Sequence, residues 1–205
     1  MADLPRCRRA TWKDVDGWAD AVAADVRGHD AVPETIVGLT RGGWVPARLL
    51  ADRLGVHRIV SMRAQHWGVT ATPTGAAQVT EGLSGPVGGQ RVLVVDDITD
   101  TGESLALAVA QVASQGPTRL ESATFLHIEH SKYRPTYTAE EIRRDAWVWI
   151  VFPWNYWEDL VQLAQRAVEH GGSGVVEVQR TLRERCGLDV PVADLERVGR
   201  WTKGD

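Results

Sequence analysis

Residues 92–104 read Val-Leu-Val-Val-Asp-Asp-Ile-Thr-Asp-Thr-Gly-Glu-Ser, and no other stretch of the 205-residue chain restricts its fold as much. The apolar run Val92 to Val95 is too short for a core helix, and its largely β-branched character suits a strand buried on both faces. Asp96 and Asp97 fall where that strand is expected to end. Asp100 follows, and Thr101-Gly102-Glu103-Ser104 leads into an apolar stretch, Leu105 to Val112, that reads as helix. A doubly buried strand followed at once by a helix belongs in a parallel sheet with helices on either side. The same order of residues makes a site. Backbone N–H groups and the positive end of the helix dipole favour a phosphate, and carboxylates at a strand's carboxyl end bind sugar hydroxyls or a divalent cation.

The rest of the chain repeats this alternation. Thr11 and Asp14 make a capping arrangement for a helix on which Trp12, Val15, Trp18, Val22 and Val26 recur at helical spacing, with Gly28 as its stop. Ile36 to Leu39 reads as a short buried strand and Thr40-Arg41-Gly42-Gly43 as a tight loop. Val45 to Leu54 reads as a helix, with Pro46 in its first turn and Gly55 as its stop. Strands are expected at Arg58 to Arg63, Glu121 to His127 and Trp147 to Phe152, and an amphipathic helix at Trp157 to His170. From Ala64 to Gln90 the chain is rich in Gly, Thr, Pro and Ser without periodicity, which reads as one long functional loop. Gly171-Gly172-Ser173-Gly174 is a hinge, and two short helices, Val175 to Arg185 and Val192 to Arg197, follow it. The expected fold class is α/β: a mainly parallel twisted sheet flanked by helices, with a small hood and a short C-terminal helical extension. The expected domain spans 1–170, with a mobile loop at about 64–90 and a hood at about 127–157, and the extension spans 171–205.

Charge and composition exclude several classes. A net charge of −4 argues against a general nucleic-acid binder. Arg180, Arg183 and Arg185 read as the solvated face of a docking or dimerisation hairpin rather than as a DNA-reading helix. No apolar run approaches the roughly 20 residues that span a bilayer, so no membrane partner is expected. The N-terminal segment with Arg6, Arg8 and Arg9 lacks the apolar region of a signal peptide. Cys7 and Cys186 are far apart in sequence and fit no metal-ligand spacing, so the expectation is isolated thiols in a reducing cytoplasm. His127 and His130 lack a third ligand at sensible spacing and read as surface or hood residues. Neither the Rossmann nor the Walker glycine pattern occurs, and the phosphoacceptor and lysine pattern of a response-regulator receiver is absent.

Residues 92–104 resemble the 5-phosphoribosyl-1-pyrophosphate (PRPP) signature of the type I phosphoribosyltransferases: apolar residues, two acids, then Asp-Thr-Gly and a small hydroxylated residue. Ile36-Val-Gly-Leu-Thr-Arg-Gly-Gly-Trp-Val-Pro-Ala47 resembles the pyrophosphate loop of the purine enzymes of that family, nearest to the xanthine–guanine and hypoxanthine type and its archaeal-like relatives. Trp149-Ile150-Val151-Phe152-Pro153-Trp154 resembles the segment that holds the purine in the same enzymes. These motifs stand in family order and bracket residues 36–154.

The resemblance implies a fold, a reaction and a set of roles. Mg²⁺-dependent transfer of 5-phosphoribosyl from PRPP to guanine, xanthine or hypoxanthine is the implied activity, in a cytoplasmic purine-salvage enzyme that is a homodimer. Thr40, Arg41, Gly42 and Gly43 would take the pyrophosphate, and Asp96 and Asp97 the ribose hydroxyls and the metal. Thr99, Asp100, Thr101, Gly102, Glu103 and Ser104 would complete the PRPP site, with Asp100 as general base. Trp149 would stack on the base and the backbone around Ile150 would bond its edge, while Trp154 and Trp157 read equally well as core. Two departures stand beside the likeness. The position of the family's 6-oxo-contacting lysine is Ile128, and residues 64–90 contain no Lys or Arg, although Arg63 sits at their edge. The missing lysine keeps an alternative open: a non-catalytic PRPP-binding sensor or regulator on the same fold.

Overall fold

The computed structural model describes residues 4–66 and 77–203, so part of the expected mobile loop, residues 67–76, lies outside the described residues. In chain order the elements are β1 (Cys7–Arg9), α1 (Trp12–Gly28), β2 (Thr35–Leu39), α2 (Trp44–Leu54), β3 (Arg58–His66), β4 (Ala77–Glu81), β5 (Arg91–Thr99), α3 (Glu103–Ala113), β6 (Arg119–Ile128), β7 (Tyr137–Ile142), β8 (Trp149–Val151), α4 (Tyr156–Glu169), α5 (Val175–Thr181) and α6 (Val192–Lys203). A 3₁₀ turn at Arg144–Ala146 precedes β8, and a π-helical turn at Leu182–Cys186 continues α5. Two compact units result: a central unit, Lys13–Trp147, and a terminal unit that joins Met1–Trp12 to Val148–Asp205.

The central unit is an α/β sheet in the order β4-β3-β2-β5-β6-β7, parallel except for β4, which runs antiparallel along β3. All of β2 is buried: Ile36 to Leu39 are apolar, and the Thr35 hydroxyl donates to Gln90. From β2 the chain passes through α2 to β3 on one side, whereas β5 lies on the other side and leads to β6 and then β7. The direction of winding therefore reverses between β2 and β5, and that is where an open parallel sheet leaves a ligand crevice beyond its strand ends. Alternation divides the two faces. Val37, Leu39, Val92 and Val94 pack with Leu105, Ala108 and Val112 of α3. Gly38 faces α2, so closely that a Cβ there would stand 2.9 Å from the Ala47 Cβ. Trp18 of α1 packs against Phe125 of β6 at 6.3 Å between ring centroids, and its indole N–H donates to Glu140 at 3.1 Å.

Three expectations for this unit need correction. β5 does not end at Val95 but runs on to Thr99, because β6 extends to Ile128 and keeps supplying partners: Asp96 opposite Thr124, Ile98 opposite Leu126, Thr99 opposite His127. Residues 64–90 are not structureless throughout, since β3 reaches His66 and Ala77–Glu81 returns along it as an edge strand. An ion pair between Arg63 and Glu81, at 3.2 Å, spans that edge. The sheet also gains β7, whose polar residues Thr138, Glu140 and Glu141 hide the strand while Tyr137 and Ile142 anchor its buried ends.

The terminal unit starts from a parallel two-stranded ribbon in which Cys7, Arg8 and Arg9 pair with Trp149, Ile150 and Val151. The strand expected at Trp147 to Phe152 thus exists in shortened form, outside the main sheet. Leu160, Leu163 and Ala167 of α4 share one core with Val178, Leu182, Leu188, Leu195 and Val198. The expected boundary at 170/171 crosses that core. α5 and the π-helical turn that continues it stay helical through Cys186, one residue past the expected Arg185, and α6 runs six residues past the expected Arg197, to Lys203. Cys7 and Cys186, expected to be isolated, meet here thiol to thiol, and that hydrogen bond together with burial pushes the Cys7 thiol up. Both cysteines are free thiols. Among the described residues no helix is long and apolar enough to cross a membrane.

Candidate active site

The crevice beyond β2 and β5 is closed on one side by residues 40–43. Thr40 anchors this loop to β3, its N–H donating to the Met62 carbonyl at 2.8 Å and its hydroxyl to the same oxygen at 3.2 Å. The Thr40–Arg41 peptide is cis, and Arg41 is exposed. The two glycines are dictated by proximity. A Cβ at Gly43 would lie 2.4 Å from the Val95 carbonyl oxygen and 2.7 Å from the Asp96 Cα. One at Gly42 would lie 2.2 Å from Oδ2 of Asp97. Only hydrogen fits at either position, so the loop backbone rests directly on the two acids.

Those acids form a strained electrostatic pair. The Asp97 N–H donates to Asp96 Oδ1 at 3.0 Å, and the Ile98 N–H donates to Asp97 Oδ1 at 2.9 Å. Burial first, and then the Asp97 carboxylate, push Asp96 well above the usual carboxylate range, opposed by the N–H groups of Asp97 and Gly43. The Gly43 N–H, expected to bind pyrophosphate, is therefore already committed to Asp96. Two adjacent carboxylates at a strand end suit a hard cation or a pair of hydroxyl donors. Among the described residues no cluster of three or more His, Cys, Asp or Glu could cage a metal. Mg²⁺ characteristically takes one or two carboxylates and fills its octahedron with substrate oxygens and water, so Asp96 and Asp97 fit it.

On the far side of β5 lies the expected phosphate loop. Gly102 adopts φ 82°, a left-handed turn that starts α3 and that a side chain resists. A Cβ there would also meet Ser131 Oγ at 2.4 Å. The Thr101 hydroxyl accepts the Glu103 N–H at 3.4 Å, while Ser104 sits half-buried in the first turn of α3. Thr99 departs from expectation: it is 1% exposed and its hydroxyl bonds that of Thr124 at 3.0 Å. Lys132, which sequence reasoning left out, belongs to this loop. Its N–H donates to the Thr101 carbonyl at 3.0 Å and its ammonium lies 3.3 Å from Glu103.

Asp100 stands between the acids and the phosphate loop, half-exposed, and two distant side chains reach it. The Trp147 indole N–H donates to its Oδ1 at 3.2 Å, and His130 Nε2 lies 3.1 Å from the same oxygen. His130 is exposed, in keeping with a surface or hood residue, and still reaches Asp100, whereas His127 is not at the surface. His127 is 2% exposed on β6, its Nδ1 has no partner among the described residues, and desolvation lowers its pKa, which favours the neutral ring. No local spacing signals the His130 contact, because strand length and a turn after β6 bring it to Asp100. Ile128, in the expected lysine position, is fully buried as the last residue of β6.

Thus the central unit brings together Thr40, Arg41, Gly42, Gly43, Asp96, Asp97 and residues 99–104 around the strand ends of one sheet. Trp149 and Ile150 belong to the terminal unit. Trp149 is partly buried against that unit's core, and its indole N–H donates to the buried Asp159 of α4 at 3.2 Å. Ile150 is buried in the ribbon. Phe152 and Trp154 stack at 4.8 Å, with Trp12 against Trp154 at 6.0 Å.

Comparison with known proteins places this geometry. The chain is similar to a xanthine-guanine phosphoribosyltransferase of Cereibacter sphaeroides, 27% identical over 150 residues that cover 71% of this chain and 84% of that one. A transcriptional regulator, GfcR, of Methanoculleus marisnigri is 32% identical over 94 residues, covering 46% of this chain and 44% of its own. Among solved structures, a purine phosphoribosyltransferase from Pyrococcus horikoshii superposes with a TM-score of 0.62 at 27% identity, over 72% of this chain and 93% of that one. A family model, the phosphoribosyl transferase domain, matches residues 10–165, which include the 40–43 loop, the paired acids and Trp149. Sheet order, glycine loop and acidic strand end therefore have one common origin, and the chain belongs to the phosphoribosyltransferases, enzymes of the glycosyltransferase type.

Proposed function

We propose that the chain transfers the 5-phosphoribosyl group of PRPP to a nitrogen of guanine, xanthine or hypoxanthine, releasing pyrophosphate, with Mg²⁺, in cytoplasmic purine salvage. Residues 1–170 would carry the transferase chemistry and 171–205 would be the extension, in a homodimer. One observation carries the reading: the Gly42–Gly43 backbone rests on Asp96 and Asp97 at the reversal point of the sheet. A glycine loop with an exposed arginine suits pyrophosphate, and the acids beside it suit the ribose that pyrophosphate leaves.

Departure of pyrophosphate builds positive charge on the anomeric carbon and negative charge on the leaving group, so the site must hold a charge pattern rather than supply a nucleophile. Bound Mg²⁺ would neutralise charge on the departing oxygens, and Asp96 and Asp97 are the residues that would hold it. Arg41 and the backbone of residues 40–42 would grip the pyrophosphate, with Gly43 letting that loop close on Asp96. Thr101 to Ser104, at the start of α3, would hold the 5′-phosphate with backbone N–H groups. Trp149 would stack on the purine, an interaction worth about 1–3 kcal/mol, with the backbone at Ile150 on its edge. Asp100 would accept a proton from the purine as its nitrogen attacks. Such a role is typically worth 10²–10⁴ in rate. Asp100→Asn is therefore expected to lower kcat by that factor while PRPP affinity stays within about twofold, measured by steady-state kinetics and calorimetry. Lost PRPP binding would assign Asp100 to the phosphate site instead.

The deciding assay is pyrophosphate release with Mg²⁺, PRPP and a panel of guanine, xanthine, hypoxanthine, adenine, uracil and orotate. Release dependent on one purine names the substrate. A second reading, a PRPP-binding regulator, is favoured by the match to a transcriptional regulator and by the buried Ile128 in place of a lysine. PRPP binding without release for any base establishes that reading.

A further inference from the structure

Asp100 is held in a way that the family likeness does not supply. Its Oδ1 receives the Trp147 indole N–H at 3.2 Å and faces His130 Nε2 at 3.1 Å. Three separate segments make this junction: the loop after β5, the turn after β6 and the 3₁₀ turn before β8. Backbone bonds tie them together. The Glu129 N–H donates to the Ile142 carbonyl at 2.9 Å, and Glu129 Oε2 accepts the Arg144 N–H at 3.0 Å. The Lys132 N–H donates to the Thr101 carbonyl at 3.0 Å, so the histidine-bearing turn is fastened to the loop that carries Asp100.

Stability does not explain such an arrangement. Side-chain exposures of 32% for His130 and 42% for Asp100 leave the pair in water, where an ion pair is worth about 0–1 kcal/mol. Its geometric effect is larger. A carboxylate's terminal torsion is broad and nearly two-fold, so an unheld Asp presents either oxygen in many orientations. Two N–H donors converging on Oδ1 fix that torsion and with it the direction of Oδ2. His130 donates from Nε2 both as the Nε2–H tautomer and as the cation.

We infer that His130 and Trp147 are positioning residues for Asp100: by donating together to Oδ1 they orient Oδ2 toward the purine proton. The inference rests on the transferase reading, with Asp100 as the proton acceptor. His130 thereby gains a role in the rate of transfer, and not in the grip on PRPP.

The test is kinetic. With PRPP and the accepted purine, His130→Leu is expected to lower kcat about 10-fold to 100-fold, the range that misplacing a reacting group costs, with KM for PRPP unchanged. His130→Gln keeps an N–H donor at similar reach and restores most of the rate. In an Asp100→Asn background the His130→Leu loss does not multiply, because the group being positioned is already gone. A loss confined to KM, a Gln variant as poor as Leu, or losses that multiply would each overturn the inference. A second measurement needs no turnover. The Trp147 indole ¹⁵N–¹H resonance, assigned by its disappearance in Trp147→Phe, shifts in both Asp100→Asn and His130→Leu, and an unmoved resonance overturns the junction itself. A wild-type chain that joins no purine to PRPP overturns the transferase reading and this role with it. An active wild type with a silent His130→Leu overturns only the role.

Discussion

The central and terminal units of this chain solve the same problem, burying apolar surface, by different routes. In the central unit each strand finds its neighbours within one continuous segment, and helices cross over between parallel strands. In the terminal unit the three-residue strand Cys7–Arg9 pairs with Trp149–Val151, far along the chain, and helices complete the core. Local sequence dominates the first arrangement and distant meetings dominate the second. Functional chemistry gathers where local sequence dominates, because a glycine loop and an acidic strand end can be specified by a dozen consecutive residues.

The largest effect that sharpens this contrast is a cavity in the terminal core. Leu182 is fully buried there, and Leu182→Ala is expected to cost about 2–5 kcal/mol. Native-state hydrogen exchange should show protection lost across α4, α5, α6, β1 and β8 while β2, β5 and β6 keep theirs. Uniform loss across both units would break the distinction. Next in size is Gly43→Ala, whose added methyl meets backbone at 2.4 Å and cannot be accommodated by a rotamer change. About 1–3 kcal/mol of stability should go with it, together with PRPP binding by calorimetry, with the damage confined to the central unit.

The smallest effect compares matched tyrosines. Tyr137 donates to Glu121 at 2.8 Å in the central unit, and Tyr156 donates to Asp194 at 2.6 Å in the terminal one. Burial, reinforced by the carboxylate, pushes each hydroxyl from 10.0 up to about 12. A raised pKa means that the folded state holds its proton longer, so the stabilisation is complete below pH 10 and is lost as the pH rises from 10 to about 12. Tyr156→Phe should flatten the alkaline fall in exchange protection of the terminal unit alone, and Tyr137→Phe that of the central unit alone. Each substitution should cost under about 1 kcal/mol near neutral pH.

Legibility follows the same division. β2 with its glycine loop, and β5 with the start of α3, were readable because strand, turn residues and helix are consecutive and each obeys its own local chemistry. The end of β5 was not, since the ladder with β6, and not the apolar run, decides how far the strand goes. β4 and β7 are edge strands with polar residues on open faces, so their alternation is weak. Asp100 was singled out as a base, yet its partners His130 and Trp147 carry no spacing signal, being brought in by a turn and by the hood. The Cys7–Cys186 contact was equally hidden, because it depends on the β1–β8 ribbon forming at all.

That ribbon has a consequence in time. A chain made from its N-terminus releases the whole of Lys13–Trp147 before β8 exists, an interval on the order of ten seconds at about 5–20 residues per second. During it the central sheet can close while the segment from Cys7 to Arg9 has nothing to pair with. The core that rests on the ribbon can close only after β8 has been made, and a ribosome that stalls between Trp147 and Val151 leaves the segment from Cys7 to Arg9 unpaired.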